Sequence, residues 1–345
     1  MRAERVTACI VARDAAESLP ACIGSVRAVV DEVLLVDNGS RDDTIAVAQR
    51  EGARIVASDA ANHEHARNAY LEAATTDWIL VIDTDERLAS PLPNLAESPD
   101  IDGFALERHD FIGGGRWAST RLVRLFRRAP HVRYFDSPAH AAVAPAIAEA
   151  GGRIALAETV VHHLDGLLAR DHAAKRANMR ARLERQVGPD ACPPILRCFY
   201  ALELFAIGED ARASALLDEA LASGPRIEPI VSLFRAQQHR ARGRFDEAER
   251  LARHCLSLRS DVFRGRDAAW AVLADAVDQQ GRDARPVIAK ARAESPNVLS
   301  HVINERVLRG EGTSDTRIPT FAFGAGARPS IFVQQDALLT RYRPT

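Results

Sequence analysis

Trp78-Ile-Leu-Val-Ile-Asp-Thr-Asp-Glu86 constrains the fold more than any other stretch of the chain. Five apolar residues, three of them β-branched, run directly into Asp83-Thr84-Asp85-Glu86. Such a run predicts a short strand buried on both faces, as in a parallel sheet. The acids then fall where the strand stops, and open α/β sheets take ligands outside the carboxyl ends of their strands. Asp83 and Asp85, one residue apart, suit a hard divalent cation, and such a cation can hold a diphosphate. Metal-assisted chemistry on a nucleotide is the first expectation. The same spacing also arises by chance. Asp100-Ile-Asp102 is an instance, because no apolar strand leads it to a sheet edge.

The segments before it alternate between two periodicities. Val6 to Val11 reads as a strand ending at Ala12-Arg13-Asp14, and Glu17 to Val30 as a helix. Val33 to Val36 is a second strand, closed by the turn signal Asp37-Asn38-Gly39-Ser40. A helix capped by Asp42 or Asp43 runs through Ala48 and stops at Gly52. Arg54 to Ala57 gives a third strand, Glu64 to Ala74 a further helix, and Trp78 to Asp83 the fourth strand. This alternation implies βαβ units with right-handed crossovers and a parallel sheet. Asp14, Asp37 and Asp83 with Asp85 would then share one sheet edge. Neither G-x-G-x-x-G after the first strand nor G-x-x-x-x-G-K-[ST] anywhere is present, so both common phosphate loops are missing.

At 345 residues two domains are expected, each able to bury a core. A formal charge of −2 gives no reason to expect nucleic acid as a partner. No apolar run reaches the length of a membrane span. The N-terminus enters a strand pattern without a charged-then-apolar leader, so a cytoplasmic protein is expected. Five cysteines (Cys9, Cys22, Cys192, Cys198, Cys255) lack C-x-x-C spacing and read as reduced packing residues. Arginine outnumbers lysine 43 to 2, a bias read as genomic rather than chemical.

Four motifs together resemble family 2 glycosyltransferases of the GT-A fold. They are Val11-Ala-Arg-Asp14, Val36-Asp-Asn-Gly-Ser-Arg-Asp-Asp-Thr44, Ala66-Arg-Asn68 and Asp77-Trp-Ile-Leu-Val-Ile-Asp-Thr-Asp-Glu86, in the family's order across roughly ninety residues. Further on, Thr120-Arg-Leu-Val-Arg-Leu-Phe126 resembles the segment leading to the acceptor side, and Ser137-Pro-Ala-His140 resembles the family's V-H-E motif. The resemblance implies a nucleoside diphosphate sugar as donor, a UDP-sugar by preference, with Mn²⁺ or Mg²⁺ as cofactor. It implies that Asp37 bonds the donor's base, while Ala12, Arg13 and Asp14 pack around the nucleoside. Arg67 would lie near the diphosphate, Asp83 with Thr84 would meet the ribose or the metal, and Asp85 would bind the metal. Some GT-A enzymes recruit a downstream histidine as a further ligand, which makes His163 a metal candidate. A cation stabilises the charge that grows on the departing diphosphate, and an inverting reaction needs a base for the acceptor's proton. Here the family's glutamate after the histidine is Ala141, which leaves Asp136, His140 and Asp110 as candidate bases.

Each of these residues has an ordinary reading too. Asp37 before Asn-Gly suits a turn acid bonding its own loop. Arg67 suits pairing with Glu64 or Glu72 along its helix. His63 and His65 read as solvated. His162-His163 close a strand candidate, Ile154 to Val161, expected on the far side of the domain, where a histidine more often packs or hydrogen-bonds. Gly113-Gly-Gly115 reads as an acceptor-side loop rather than a phosphate cradle, since no lysine follows.

From about Pro193 the pattern is helical. Leu196 to Ala222, Val231 to Leu256 and Ala268 to Ala293 each break at a glycine: Gly208, Gly243 and Gly281. The spacing is close to the tetratricopeptide period of about 34 residues, and Gly243-Arg-Phe-Asp-Glu-Ala248 resembles that family's inter-helix turn. The expected organisation is a GT-A domain over 1–187, tetratricopeptide-like repeats over 190–310 and a tail over 311–345, where Ile331-Phe-Val333 is a docking candidate. Stacked repeats leave a surface suited to a peptide or protein acceptor, or to a homodimer. Two other classes stand beside the transferase. One is a repeat-based adaptor whose sugar-nucleotide domain is catalytically silent, favoured by Ala141. The other is a nucleotidyltransferase, which would want a glycine-rich basic loop where Val11-Ala-Arg-Asp-Ala15 stands.

Overall fold

A computed structural model describes residues 4–58, 63–113, 116–134, 142–168, 172–188, 192–258, 265–295, 301 and 305. The chain divides into two compact units, Met1–Asp110 with Thr120–Asp165, and Phe111–Ser119 with Gly166–Thr345. The first holds β1 (Val6–Ala12), α1 (Leu19–Val26), β2 (Glu32–Asp37), α2 (Thr44–Arg50), β3 (Arg54–Ala57), α3 (His63–Ala73), β4 (Trp78–Val81) and β5 (Glu86–Leu88). β6 (Gly103–Gly113) as far as Asp110, β7 (Arg116–Arg127) from Thr120, α4 (Ala144–Glu149) and β8 (Ile154–His163) follow.

Eight strands form one sheet in the order β3-β2-β1-β4-β7-β6-β8-β5. β1 pairs in parallel with β2 and β4, and β2 with β3. The expected parallel arrangement therefore holds for the first four strands. Beyond them the sheet is mixed: β7 runs antiparallel to β4 and β5 antiparallel to β8, while β6 runs parallel to β8. The near-continuous apolar run of β1, and that of β4, follows from burial on both faces. Ala8, Ile10, Leu35, Trp78 and Leu80 join one core with Leu19, Cys22, Ile23 and Val26 of α1. Their alternates, Cys9, Val11, Leu34, Val36, Ile79 and Val81, join a second core with Tyr70 and Leu71 of α3. Each fully buried large side chain contributes about 1.5–3 kcal/mol. α1 is shorter than its periodicity predicts, because past Val26 the chain turns and Val29 is exposed.

The second unit holds α5 (His172–Gln186), α6 (Pro194–Ala206), α7 (Asp210–Ala222), α8 (Glu228–Ala241), α9 (Phe245–Ser257), α10 (Arg266–Gln279) and α11 (Arg285–Glu294). α6 with α7, α8 with α9 and α10 with α11 form three helix pairs, turning at Gly208, Gly243 and Gly281. All three glycines have positive φ (84°, 73° and 72°), which a side chain would strain. Buried alanines such as Ala213, Ala248, Ala252, Ala269 and Ala274 let the helices approach closely. No helix among the described residues is long and apolar enough to cross a membrane.

Candidate active site

Parallel register brings the carboxyl ends of β1, β2 and β4 to one edge. Ala12 lies beside Asp37, Cys9 beside Val81, and Ile82 N bonds Cys9 O at 3.2 Å. The turns leaving β1 and β2 are laced together. Asp14 N donates to Ser40 Oγ (3.0 Å), Asp14 Oδ1 accepts from Arg41 N (2.7 Å), and Ala15 N donates to Thr44 Oγ1 (2.7 Å). Asp14 itself sits at φ 49°, a left-handed conformation that aspartate tolerates better than most side chains. Asp37 is buried, and its Oδ2 accepts from Gly39 N and Ser40 N, both at 3.2 Å. That is the turn-acid arrangement, and it holds the Asn-Gly loop against the end of β2. Arg13 is exposed beside it and Ala12 is buried in the strand.

The β4–β5 turn is the centre of charge. Glu86 N bonds Asp83 O at 2.8 Å, and Asp83 N donates to Glu86 Oε2 at 2.9 Å, so the turn is closed from both ends. Thr84 O accepts from Arg87 Nη1 at 3.0 Å. Asp83 is gripped by two guanidinia, Arg67 Nη2 on Oδ1 (2.6 Å) and Arg124 Nη2 on Oδ2 (2.9 Å). Burial pushes the Asp83 carboxyl up, but Arg124 and Arg67 overcome it and hold the acid well below the usual carboxylate range. Arg67 therefore pairs with Asp83 rather than with Glu72, which binds Arg133 at 2.7 Å. Its guanidinium also lies 5.6 Å from the centre of the Tyr134 ring.

β8 carries the correction. His162 and His163 are not remote: β8 runs antiparallel to β5 with His163 beside Glu86, and parallel to β6 with His163 beside Asp110. His163 Nε2 stands 3.7 Å from Asp85 Oδ1, while its Nδ1 is 2.6 Å from Asp110 Oδ1. Burial and the Arg108 charge push the imidazole down, yet Asp110 and the neighbouring Asp85 raise it to about 9. Asp110 also pairs with Arg108 (2.9 Å) and accepts from Thr120 Oγ1 (3.0 Å). Burial opposes its charge, but Arg108 and His163 keep its carboxyl low. Asp110 is thus engaged on three sides, which makes it a weak proton acceptor. The other base candidates, Asp136 and His140, lie outside the described residues.

The donor set at Asp85 and His163 fits a divalent cation once the imidazole gives up its Nε2 proton. A carboxylate oxygen and an imidazole nitrogen are ligands such ions accept. A second carboxylate on the far nitrogen is the usual way such an imidazole is oriented. Asp83 fits less well, since both its oxygens already meet arginine. Among the described residues no group of three His, Cys, Asp or Glu side chains stands close enough to hold an ion.

Three residues of the network escape a sequence reading. Glu86 has no exposed side-chain surface and receives Arg124 Nη2 at 2.6 Å and Arg108 Nη1 at 3.4 Å on Oε1. Arg124 inside the apolar run Leu122 to Phe126 is the one available signal, since a strand seldom buries an unpaired arginine. Arg108 and Glu86 carry no comparable signal.

Residues 7–142 match the Glycosyl transferase family 2 model. A TPR repeat-containing protein of Synechococcus elongatus is 40% identical over 141 residues, covering 39% of this chain and 34% of the relative. A glycosyltransferase of Rickettsia felis is 34% identical over 94 residues, covering 27% and 33%. The chain thus spans about a third of the length of these curated relatives. Among solved structures, glucosyl-3-phosphoglycerate synthase of Mycobacterium tuberculosis, in complex with Mn²⁺ and UDP, is similar at 22% identity and a TM-score of 0.26, covering 30% of this chain and 44% of that one.

Proposed function

We propose that this chain, whose sheet unit carries the family 2 glycosyltransferase sequence, is an inverting, metal-dependent glycosyltransferase. It moves a sugar, a hexose in our reading, from a nucleoside diphosphate donor with uridine as the base. The observation that carries the proposal is the Asp85–His163 pair, 3.7 Å apart at the edge where the turns after β1, β2 and β4 emerge. The family match and the acid-rich loops at that edge support it. The uridine donor rests on the resemblance of the motifs.

In this reading the nucleoside lies against Ala12–Asp14 and Asp37, whose laced turns form a rigid wall. Asp85 and His163 hold Mn²⁺ or Mg²⁺, which when bound supplies Lewis-acid stabilisation to the diphosphate. Arg67 and Arg124 keep Asp83 ionised and in place, so the diphosphate meets a neutralised carboxylate rather than a bare one. The acceptor oxygen forms its bond to the anomeric carbon as the bond to the β-phosphate oxygen breaks. The electron pair leaves with the nucleoside diphosphate, and the acceptor's proton goes to a base. With Asp110 engaged by His163 and Arg108, we assign that base to Asp136 or His140. We also propose the division into a transferase domain over 1–187, repeats over 190–310 and a tail, with the repeats presenting a peptide or protein acceptor.

Thermal-shift titration with UDP-sugars, with and without Mn²⁺, tests the proposal together with donor hydrolysis in the same samples. Metal-dependent stabilisation and slow release of UDP are expected. No shift with any UDP-sugar overturns the uridine donor. A metal-dependent shift without hydrolysis or transfer favours the second reading, a repeat-based adaptor with a silent sugar-nucleotide domain, for which Ala141 in place of the family's glutamate speaks.

A further inference from the structure

Glu86 has a zero-exposure side chain, yet Asp83, Arg67, Arg124, Arg108, Asp110 and His163 all lead back to it within a few contacts. Its Oε2 accepts the Asp83 backbone N–H at 2.9 Å, while its own N–H returns to Asp83 O at 2.8 Å. The conformation of Asp83-Thr84-Asp85 is fixed by that reciprocal pair.

Its other oxygen, Oε1, starts two arms. Along the first, Arg124 Nη2 reaches Glu86 at 2.6 Å and continues to Asp83 Oδ2 at 2.9 Å. Along the second, Arg108 Nη1 reaches Glu86 at 3.4 Å while Nη2 holds Asp110 Oδ1 at 2.9 Å. That same Asp110 oxygen takes His163 Nδ1 at 2.6 Å. The second arm ends on His163, whose Nε2 faces Asp85 Oδ1 across 3.7 Å, while the first ends on Asp83, two residues before Asp85 in the same closed turn. Backbone pairing adds to this, because Leu164 N bonds Asp85 O at 2.8 Å. A buried acid between two arginines also keeps their charges compensated, a condition that isolated buried guanidinia would not meet.

We infer that Glu86 is a positioning residue: it sets the separation of Asp85 from His163 and so the affinity of the site for a divalent cation. The inference rests on the proposed function, since it concerns the same site. It assigns to Glu86 no contact with the sugar, the nucleotide or the ion. A group bonded directly to a metal ligand, as Asp110 is to His163, commonly changes affinity by about 10–100-fold when lost; Glu86 acts on that group through Arg108, so the low end of the range is expected. Glu86→Gln keeps the shape and one acceptor oxygen but removes the charge that Arg124 and Arg108 both need.

The test is Mn²⁺ binding to the full chain, read by electron paramagnetic resonance, with UDP binding in EDTA and the melting temperature measured in parallel. Glu86→Gln is expected to raise the Mn²⁺ Kd by about tenfold, with metal-free UDP binding unchanged. Arg108→Met cuts only the second arm and is expected to raise the Kd in the same direction, which keeps the test available if Glu86→Gln does not fold. A lowered melting temperature with an unaltered Mn²⁺ Kd in a folded variant overturns the inference, because a merely structural acid would behave that way. Absence of Mn²⁺ binding by the wild-type protein would instead remove the metal-dependent reading on which it rests, and the inference with it.

Discussion

Arg67 on α3 binds Asp83 in the β4–β5 turn at 2.6 Å, bypassing Glu72 on its own helix. The pair ties the last turn of chemistry-bearing strand to the helix that covers it. Breaking a buried pair costs about 3–5 kcal/mol, but the Asp83 side chain is 29% exposed and keeps Arg124. We therefore expect Arg67→Ala to lower stability by roughly 1–2 kcal/mol after allowing for solvent screening. Urea denaturation checks this. An unchanged midpoint would mean that Arg124 alone satisfies Asp83.

The same pair sets a pH dependence. Asp83 is held below its ordinary value in the folded chain, so its pairing contributes stability that is fully present above the unfolded value of about 3.9. That stability is lost as the pH falls through the folded value. Arg67→Ala moves the folded value back toward the unfolded one. The stability gap between wild type and variant should accordingly hold steady down to about pH 4 and narrow only as the pH falls further toward the folded value. Urea midpoints across that range decide it, and a gap that stays constant would place the cost of the substitution in lost packing instead.

Why some of this was legible in the sequence and some was not follows from where the information lies. β1, β2 and β4 are buried on both faces, so their apolar runs announce them without knowledge of their neighbours. Gly208, Gly243 and Gly281 mark the helix pairs because a positive φ is a local demand. His163 is the opposite case. Its own segment says only that a strand ends there, and its position beside Asp85 is decided by β8 lying next to both β6 and β5. Strand order and register over such separations depend on which faces are buried, and no local pattern carries that. The pairing of Arg67 with Asp83 is hidden for a related reason, since helical spacing names only the arginine's neighbours on α3. Glu86 stood in the acidic cluster all along, but an acid that is wholly buried reads no differently from one that faces a ligand.

Backbone conformation separates two glycines that look alike in sequence. Gly243 turns α8 into α9 at φ 73°, with open space where a Cβ would lie. Gly243→Ala should therefore cost about 1–2 kcal/mol from left-handed strain alone. Gly24 lies within α1 with open space too, and its φ is not positive. Gly24→Ala should be neutral or stabilise by up to about 1 kcal/mol through helix propensity. Melting temperatures of the two variants must move in opposite directions or differ clearly. Equal shifts would contradict the turn geometry.

All five cysteines are buried free thiols. Burial raises the thiol pKa of each, with Cys198 and Cys255 pushed up to about 12. Thiolate is the reactive form, so at about pH 8 the native protein should react with a disulfide reagent far more slowly than the denatured chain, which should titrate all five. A rapid native thiol would mark a local opening, with Cys192 the first to suspect because it lies in the connection before α6 rather than within an element.

Asp85 and His163 should fail together but not equally. Asp85→Ala removes the charged ligand and should abolish metal-dependent donor hydrolysis and transfer. It also leaves His163 facing an apolar side chain, while Asp110 still holds Nδ1. His163→Ala keeps the carboxylate, so weaker Mn²⁺ binding, by about tenfold or more, with residual turnover at high metal is expected, as when one of two ligands is lost. His163→Gln, which retains a polar atom but cannot take the Asp110 bond in the same way, should fall between His163→Ala and the wild type. Turnover measured against Mn²⁺ concentration separates these cases. Undiminished turnover in Asp85→Ala would remove the metal from the mechanism, whereas an His163→Ala variant with an unaltered metal dependence would leave Asp85 as a ligand and reassign His163 to the structural network around Asp110.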